Sequence, residues 1–232
     1  RLLVEYAIQQ RVFVPISAMP KMLVKAFLSA EDKNFYYHPG IDPVGIMRAV
    51  LINVKNFAQG RRLVGASTVT QQVAKNFLLT SDVTLKRKIK EAILAFRIER
   101  TLSKKRILEL YLNEIYLGFG SYGVATAALN YFNKSLDNLT ISEAAFLAAL
   151  PKAPNNYNPL KNSSGARARR DWVIGRMLED EAITFEEAQQ ARAKPLYVRS
   201  RDNTEYVQAK YFAEEVRQEL VKRYGEKKLY KG

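Results

Sequence analysis

Glu31 and Asp32 open the stretch EDKNFYYHPG, residues 31–40, which also carries three aromatic side chains and the chain's single histidine, His38. One helix end needs a single cap, so this crowding is either packing or proton-transfer chemistry. Leu23, Phe27 and Glu31 follow at four-residue spacing, which puts Glu31 on the apolar face of a helix starting near Pro20. A carboxyl on such a face loses water, and desolvation raises its pKa toward the range that suits a general base at neutral pH. Asp32 is expected to point away, beside Leu28 and Lys25. Glu31 as a simple cap or lysine partner stands level with the catalytic reading. A lone histidine such as His38 is more often structural, bonding backbone.

Two further stretches offer chemistry. In GASTVTQQVAKN, residues 65–76, Thr68 and Gln71 form a capping-box signature at a helix start. Val69, Val73 and Phe77 make the expected buried stripe, while Thr68, Gln72 and Lys75 make a polar stripe with Gln71 beside it. Free N–H groups and a helix dipole at that start suit an anion, with Lys75 one turn further in; an ordinary capped helix with a solvated face is the stronger alternative. In LKRKIKEAIL, residues 85–94, Arg87 and Lys88 precede Glu91 by four and three residues. That is either a surface ion pair of a few tenths of a kcal/mol or a second carboxylate beside cations that could meet a phosphate. Two carboxylates in contrasting environments are a pattern of acid–base sites acting on sugars. GFGSYG, residues 118–123, matches a dinucleotide-binding glycine pattern literally, but it follows a helix and lacks the acidic partner. It is read as an interhelix turn.

The elements that must position these groups are mostly helices. The periodicity predicts helices from Pro20 to Pro39-Gly40, over 43–58, from Thr68 to about Leu79, and over 84–100 with an apolar stripe of Leu85, Ile89, Ile93 and Phe96. Ser103 caps the next, followed by a small-residue helix near 122–132 and one opened by a Thr140/Glu143 capping box and stopped by Pro151. ARRDWVIGRMLED and the segment after Thr184/Glu187 supply two more, with Pro195 closing the last. RVFVP and LYVRS read as short strands, and a charged helix is expected at about 206–224. The helix over 43–58 has an unusually wide apolar face and carries Arg48 and Lys55, with Arg61 and Arg62 just beyond. A core helix is slightly favoured over one lying in a membrane interface.

Composition narrows the partners. The 232 residues carry 37 Lys and Arg against 23 Asp and Glu, a net charge of +14, which favours an anionic partner. With no cysteine, disulfides and thiolate chemistry are excluded, and a single histidine argues against a zinc site. No apolar run is long enough to span a bilayer and no signal peptide is visible. The start RLLVEYAIQQ lacks Met and the chain reads as an excised segment, so a lost membrane anchor is one expectation. A nucleic-acid-binding module would use the positive charge, yet the basic residues show no recognition-helix pattern with interleaved aromatics.

Taken in order, E-D-x-x-F-x-x-H-x-G at 31–40, G-A-S-T-x-T-Q-Q-x-A-K-N at 65–76, R-K-x-x-E at 87–91, I-L-E-x-Y-L-N at 107–113 and RRDWVIGRM at 169–177 resemble the peptidoglycan glycosyltransferase domain of class A penicillin-binding proteins, glycosyltransferase family 51. The resemblance covers about 20–195, and AEDKNFYYHPGIDPVGI with ALPKAPNNYNP is similar to the 1A type of Gram-negative bacteria. It implies a mainly α, lysozyme-like fold with a head lobe and a smaller membrane-facing jaw at about 41–64. Residues 1–195 would be the glycosyltransferase domain and 196–232 the start of a linker toward a transpeptidase domain that this chain lacks.

The implied reaction polymerises lipid II into glycan strands, releasing undecaprenyl pyrophosphate. Glu31 matches the general base and Glu91 the second carboxylate, which assists pyrophosphate departure directly, structurally or through a divalent cation. Lys75, Arg87 and Lys88 match pyrophosphate-binding positions. Ser67, Thr68, Gln71, Gln72 and Asn76 match substrate-binding ones, and Asp32, Phe35 and His38 match positions lining the cleft. Where some relatives carry a further basic residue this chain has Val83, which puts a phosphate contact there in doubt. No organic cofactor is implied; a Mg or Mn ion at Glu91 is allowed. The implied partners are lipid II, the growing glycan and the membrane surface, not nucleic acid, with the oligomeric state open. The implied location is the inner (cytoplasmic) membrane, with the catalytic domain on the periplasmic side. A lysozyme-like hydrolase is the alternative enzyme, but hydrolysis needs no cationic set for a diphosphate.

Overall fold

Helix signals written into the sequence organise the chain. The computed structural model describes residues 12–60, 65–78, 84–198, 219–220 and 222–223. Gln9–Val198 form one compact unit. Its helices are α1 (Lys21–Glu31), α2 (Pro43–Ala58), α3 (Val69–Leu78), α4 (Leu85–Thr101), α5 (Lys104–Glu114), α6 (Val124–Phe132), α7 (Ile141–Ala149), α8 (Ser163–Glu179) and α9 (Phe185–Ala193). The architecture is mainly α, as expected, and no strand occurs among the described residues.

Caps set many of the boundaries. Thr140 and Thr184 both make complete capping boxes, with Glu143 and Glu187, and Ser103 accepts from the Arg106 N–H to open α5. Thr84 and Asn162, not foreseen as caps, open α4 and α8 in the same way. Inside the capped ends, α7 is buried almost along its whole length, the pattern of a central helix apolar on every side. Its alanines Ala144, Ala145, Ala148 and Ala149 are fully buried. Their small size lets α1 and α8 pack closely on α7 and on each other, while α3 packs on α4 and α5.

Several expectations are corrected. α1 ends at Glu31, eight residues before Pro39. Val12–Val14 and 195–198 are not strands. Val14 is paired instead by a side chain: its N–H donates to Asn113 Oδ1 at 2.8 Å, and Asn113 Nδ2 donates to its carbonyl at 2.9 Å. With Glu109 accepting from the Ile16 N–H at 2.8 Å, two side chains one turn apart on α5 do what a neighbouring strand would do. GFGSYG is the α5–α6 turn expected: Gly118, Phe119, Gly120 and Gly123 all have positive φ. At Gly123 a Cβ would lie 2.5 Å from the Asn113 carbonyl oxygen, so no side chain fits.

Apolar faces turned outward are found on α4, α3 and α2. The α4 stripe of Leu85, Ile89, Ile93 and Phe96 is exposed, and the face turned inward carries Glu91 and Ala95. Phe77, expected in the α3 stripe with the buried Val69 and Val73, is exposed as well. α2 likewise buries only Gly45 and Ala49, while Val44, Met47, Leu51, Val54 and Phe57 face outward, so it is not a core helix. Arg61, Arg62 and Val83 lie outside the described residues, as does most of the charged helix expected near 206–224.

Candidate active site

Glu31, the last residue of α1, is half-buried, and burial raises its carboxyl pKa. Gln72 Nε2 donates to its Oε2 at 2.8 Å and, with the charges of Arg169 and Lys152, opposes part of that rise; the neighbouring Asp32 adds to it. Glu31 lines a cavity of about 410 Å³ together with Asp32, Asp42, Arg48, Ser67, Thr68 and Trp172. Gln72 lines a second cavity of about 320 Å³ with Lys75, Asn76, Tyr116, Tyr122 and Pro154. The Glu31–Gln72 hydrogen bond therefore connects the walls of the two cavities.

Asp32 does not project from α1 as a helical residue would, because with φ −160° and ψ 73° it already lies outside the helix. Its buried carboxylate turns toward α3 rather than Lys25, and Oδ2 accepts the Val69 N–H at 2.9 Å. His38 Nε2 approaches both oxygens at 2.9 and 3.0 Å. The Gly40 N–H donates to His38 Nδ1 at 3.2 Å, so the proton of a neutral His38 sits on Nε2 and is donated to Asp32. Thr68 Oγ1 donates to the Gly40 carbonyl at 2.6 Å. The Thr68–Gln71 capping box is complete, with bonds of 3.0 and 3.1 Å.

The N-terminus of α3, suited to an anion, takes the chain's own Asp32, a favourable charge at that end of the dipole. Phe35 and His38 are buried behind the cavity wall, and neither is among the residues lining the Glu31 cavity. Lys104 pins them, lying 4.5 Å from the Phe35 ring centre and donating to the His38 carbonyl at 2.6 Å. Of the crowded groups in EDKNFYYHPG, Glu31 and Asp32 line the cavity, while Phe35 and His38 are packed behind it.

Glu91 is buried at 2% exposure. Arg87 Nη1 reaches its Oε2 at 3.4 Å and Lys88 Nζ pairs with Oε1. The pair expected from spacing forms, but facing inward rather than on the surface. Lys88 also donates to Ser67 Oγ at 2.8 Å, which ties this ionic group to the Glu31 cavity. Lys75 and Asn76 line the second cavity, and Arg87 and Lys88 are in the lining of neither cavity. Among the described residues no group of three His, Cys, Asp or Glu could hold a metal ion, and Glu91 is already matched by two cations.

The helix expected at ARRDWVIGRMLED is α8, but none of its residues was singled out for the site. Arg169 and Arg170 are adjacent but part ways. Arg170 is fully buried, bonding Ser142 Oγ and the Arg192 and Lys194 carbonyls at 2.7–3.1 Å. Arg169 turns toward the site, its guanidinium 3.8 Å from the Trp172 ring centre and within the field of Glu31. The available signal was the i, i+3, i+7 spacing of Arg169, Trp172 and Arg176 on one helix face.

Residues 2–178 match the family described as Transglycosylase. The chain belongs to the transglycosylase family. This transglycosylase chain is 56% identical over 227 residues to penicillin-binding protein 1A of Rickettsia bellii, covering 98% of the chain and 29% of that protein. With penicillin-binding protein 1A of Aquifex aeolicus the identity is 49% over 225 residues, 97% of this chain and 30% of the relative. A crystal structure of penicillin-binding protein 1A from Haemophilus influenzae matches with a TM-score of 0.55 at 30% identity, over 94% of this chain and 22% of that one. The transglycosylase chain thus spans under a third of the length of these relatives.

Proposed function

We propose that this transglycosylase chain polymerises lipid II, with Glu31 as the general base. The carrying observation is the placement of Glu31: a carboxyl whose pKa is raised by burial, lining a cavity, on a chain of the transglycosylase family. The acceptor GlcNAc 4-hydroxyl attacks the anomeric carbon of the lipid-pyrophosphate-linked chain. Glu31 takes the hydroxyl proton as the C–O bond forms with inversion, and the pyrophosphate departs with the electron pair of the broken bond. A pyrophosphate leaves readily, so activating a weak hydroxyl nucleophile is the main task, contributing about 10²–10⁴-fold. Arg87, Lys88 and Lys75 would stabilise the departing charge. Because Glu91 already pairs with two cations, its part is to hold Arg87 and Lys88 in place. Incubating the chain with labelled lipid II in detergent and separating polymer on a gel tests the proposal; glycan polymer is expected, and its absence would count against it.

Lys75→Ala and Arg87→Ala are expected to weaken binding of the pyrophosphate-bearing donor about tenfold or more, the scale of one charge-assisted hydrogen bond. If both bind lipid II, or a phosphoglycolipid inhibitor such as moenomycin, as well as wild type, the clamp lies elsewhere. A pH–rate profile should accompany Arg87→Ala, which also strips one cation from Glu91.

We further propose that the domain works against a membrane surface, at the periplasmic face of the inner membrane, where a lipid-linked substrate presents its sugars. Among the described residues no helix is long and apolar enough to cross a membrane. The outward apolar face of α2, with Phe57 83% exposed, and the exposed stripe of α4 support docking, since soluble surfaces rarely expose such runs. Arg48 and Lys55 could each add about 1 kcal/mol at anionic headgroups. Replacing Met47, Leu51 and Val54 together with Ser should weaken binding to anionic liposomes several-fold without lowering Tm. Unchanged binding, or melting of the whole domain, would contradict this. The reading of 196–232 as the start of a linker toward a transpeptidase domain remains part of the same proposal.

A further inference from the structure

Trp172 is the chain's only tryptophan, yet it is 44% exposed on the wall of the cavity that Glu31 lines. Large aromatics of the head such as Phe27, Phe35 and Phe146 are fully buried. One face of the indole is covered by the Arg169 guanidinium at 3.8 Å from the ring centre, a cation–π stack that fixes the ring's orientation. Arg169 is itself half-buried, and its Nε has no hydrogen-bond partner. The half-open indole offers a flat, largely apolar ring with one N–H donor at its edge. Around it the same cavity presents charged side chains, Arg48, Arg176, Glu179 and Asp42.

A flat apolar platform inside a ring of hydrogen-bonding groups complements a pyranose, whose C–H face is apolar and whose hydroxyl and amide rim is polar. We propose that Trp172, held by Arg169, seats the saccharide whose hydroxyl Glu31 deprotonates, an N-acetylhexosamine unit of the acceptor. This deepens, and rests on, the polymerase reading above. Arg169 acts as a positioning residue: it orients the indole and places a positive charge within the field of Glu31. A sugar resting on the ring and the carboxylate that activates it are then registered by the same guanidinium.

A single tryptophan makes intrinsic fluorescence a reporter of this one site. Titrating the whole chain with the soluble disaccharide of N-acetylglucosamine and N-acetylmuramic acid, without lipid or phosphate, should give a saturable change in emission. Arg169→Ala, which keeps the reporter, should raise the half-saturation concentration about fivefold or more. In lipid II polymerisation Trp172→Ala should raise the apparent KM for acceptor about tenfold, with a smaller effect on kcat, and Trp172→Phe should recover most of it. No emission change in a chain that polymerises lipid II overturns the seat, as does an unchanged acceptor KM in Trp172→Ala. If Trp172→Ala does not fold, the wild-type titration and Trp172→Phe decide. A saturable emission change in a chain that makes no polymer keeps the seat and overturns the polymerase reading instead.

Discussion

Glu31→Gln is expected to lower polymerisation about 10²–10⁴-fold, the span of a lost general base, while leaving lipid II binding near wild type. The amide keeps an oxygen that can still accept the Gln72 Nε2–H now bonded at 2.8 Å, so the cavity wall need not move. Stability should change in the favourable direction. Burial raises the Glu31 pKa in the folded protein, meaning that the folded state holds this proton more tightly than the unfolded chain. The stabilisation present below the unfolded value of about 4.3 is therefore lost as pH rises through the raised folded value. The amide in Glu31→Gln does not titrate, so at pH 8 the variant should melt at or above the wild-type temperature. A thermal scan at pH 5 and pH 8 checks the sign; a variant that melts lower at pH 8 would contradict it.

Asp32→Ala should do the opposite, removing stability first and activity as a consequence. The carboxylate accepts from His38 Nε2 and from the Val69 N–H, and all three groups are buried. Truncation leaves two buried donors without an acceptor, a loss of about 3–5 kcal/mol. For a domain of this size that corresponds to a fall in Tm of roughly 10 °C. Because Asp32 fixes the start of α3, and α3 carries Gln72, residual activity should fall even below the melting range. Asp32→Asn, which retains one acceptor oxygen, should lie between. A Tm for Asp32→Ala within a degree or two of wild type would mean that this network does not hold α3.

The contrast between two adjacent carboxylates shows what sequence could and could not tell. Glu31 was legible because it continues the Leu23–Phe27 spacing, and spacing on one helix is a local property. Asp32 was not, because α1 stops one residue earlier and the side chain serves a helix 37 residues away. The three capping boxes were legible for the same local reason. The α4 stripe was legible as apolar but its side was not: periodicity marks an apolar face, and whether it meets the core or another apolar medium is decided by what packs around it. Glu91 shows the converse, with a charged pair that looked like a surface i,i+4 contact turned inward. Arg169 and Trp172 stayed hidden because nothing within RRDWVIGRM tells which of its arginines is buried and which faces Glu31 until α8 is laid against α1.

If the half-buried carboxyl of Glu31 activates the acceptor hydroxyl, its ionisation must appear in the pH dependence of kcat/KM for lipid II polymerisation. The base must be unprotonated, so the rate should climb with pH along a single acid limb displaced upward from the ordinary glutamate value of about 4.3, as the burial of Glu31 requires. Glu31→Gln should show only a low, flat residual rate. A limb at the ordinary value, or a Glu31→Gln enzyme that keeps both the limb and near-wild-type turnover, would place the base on another residue.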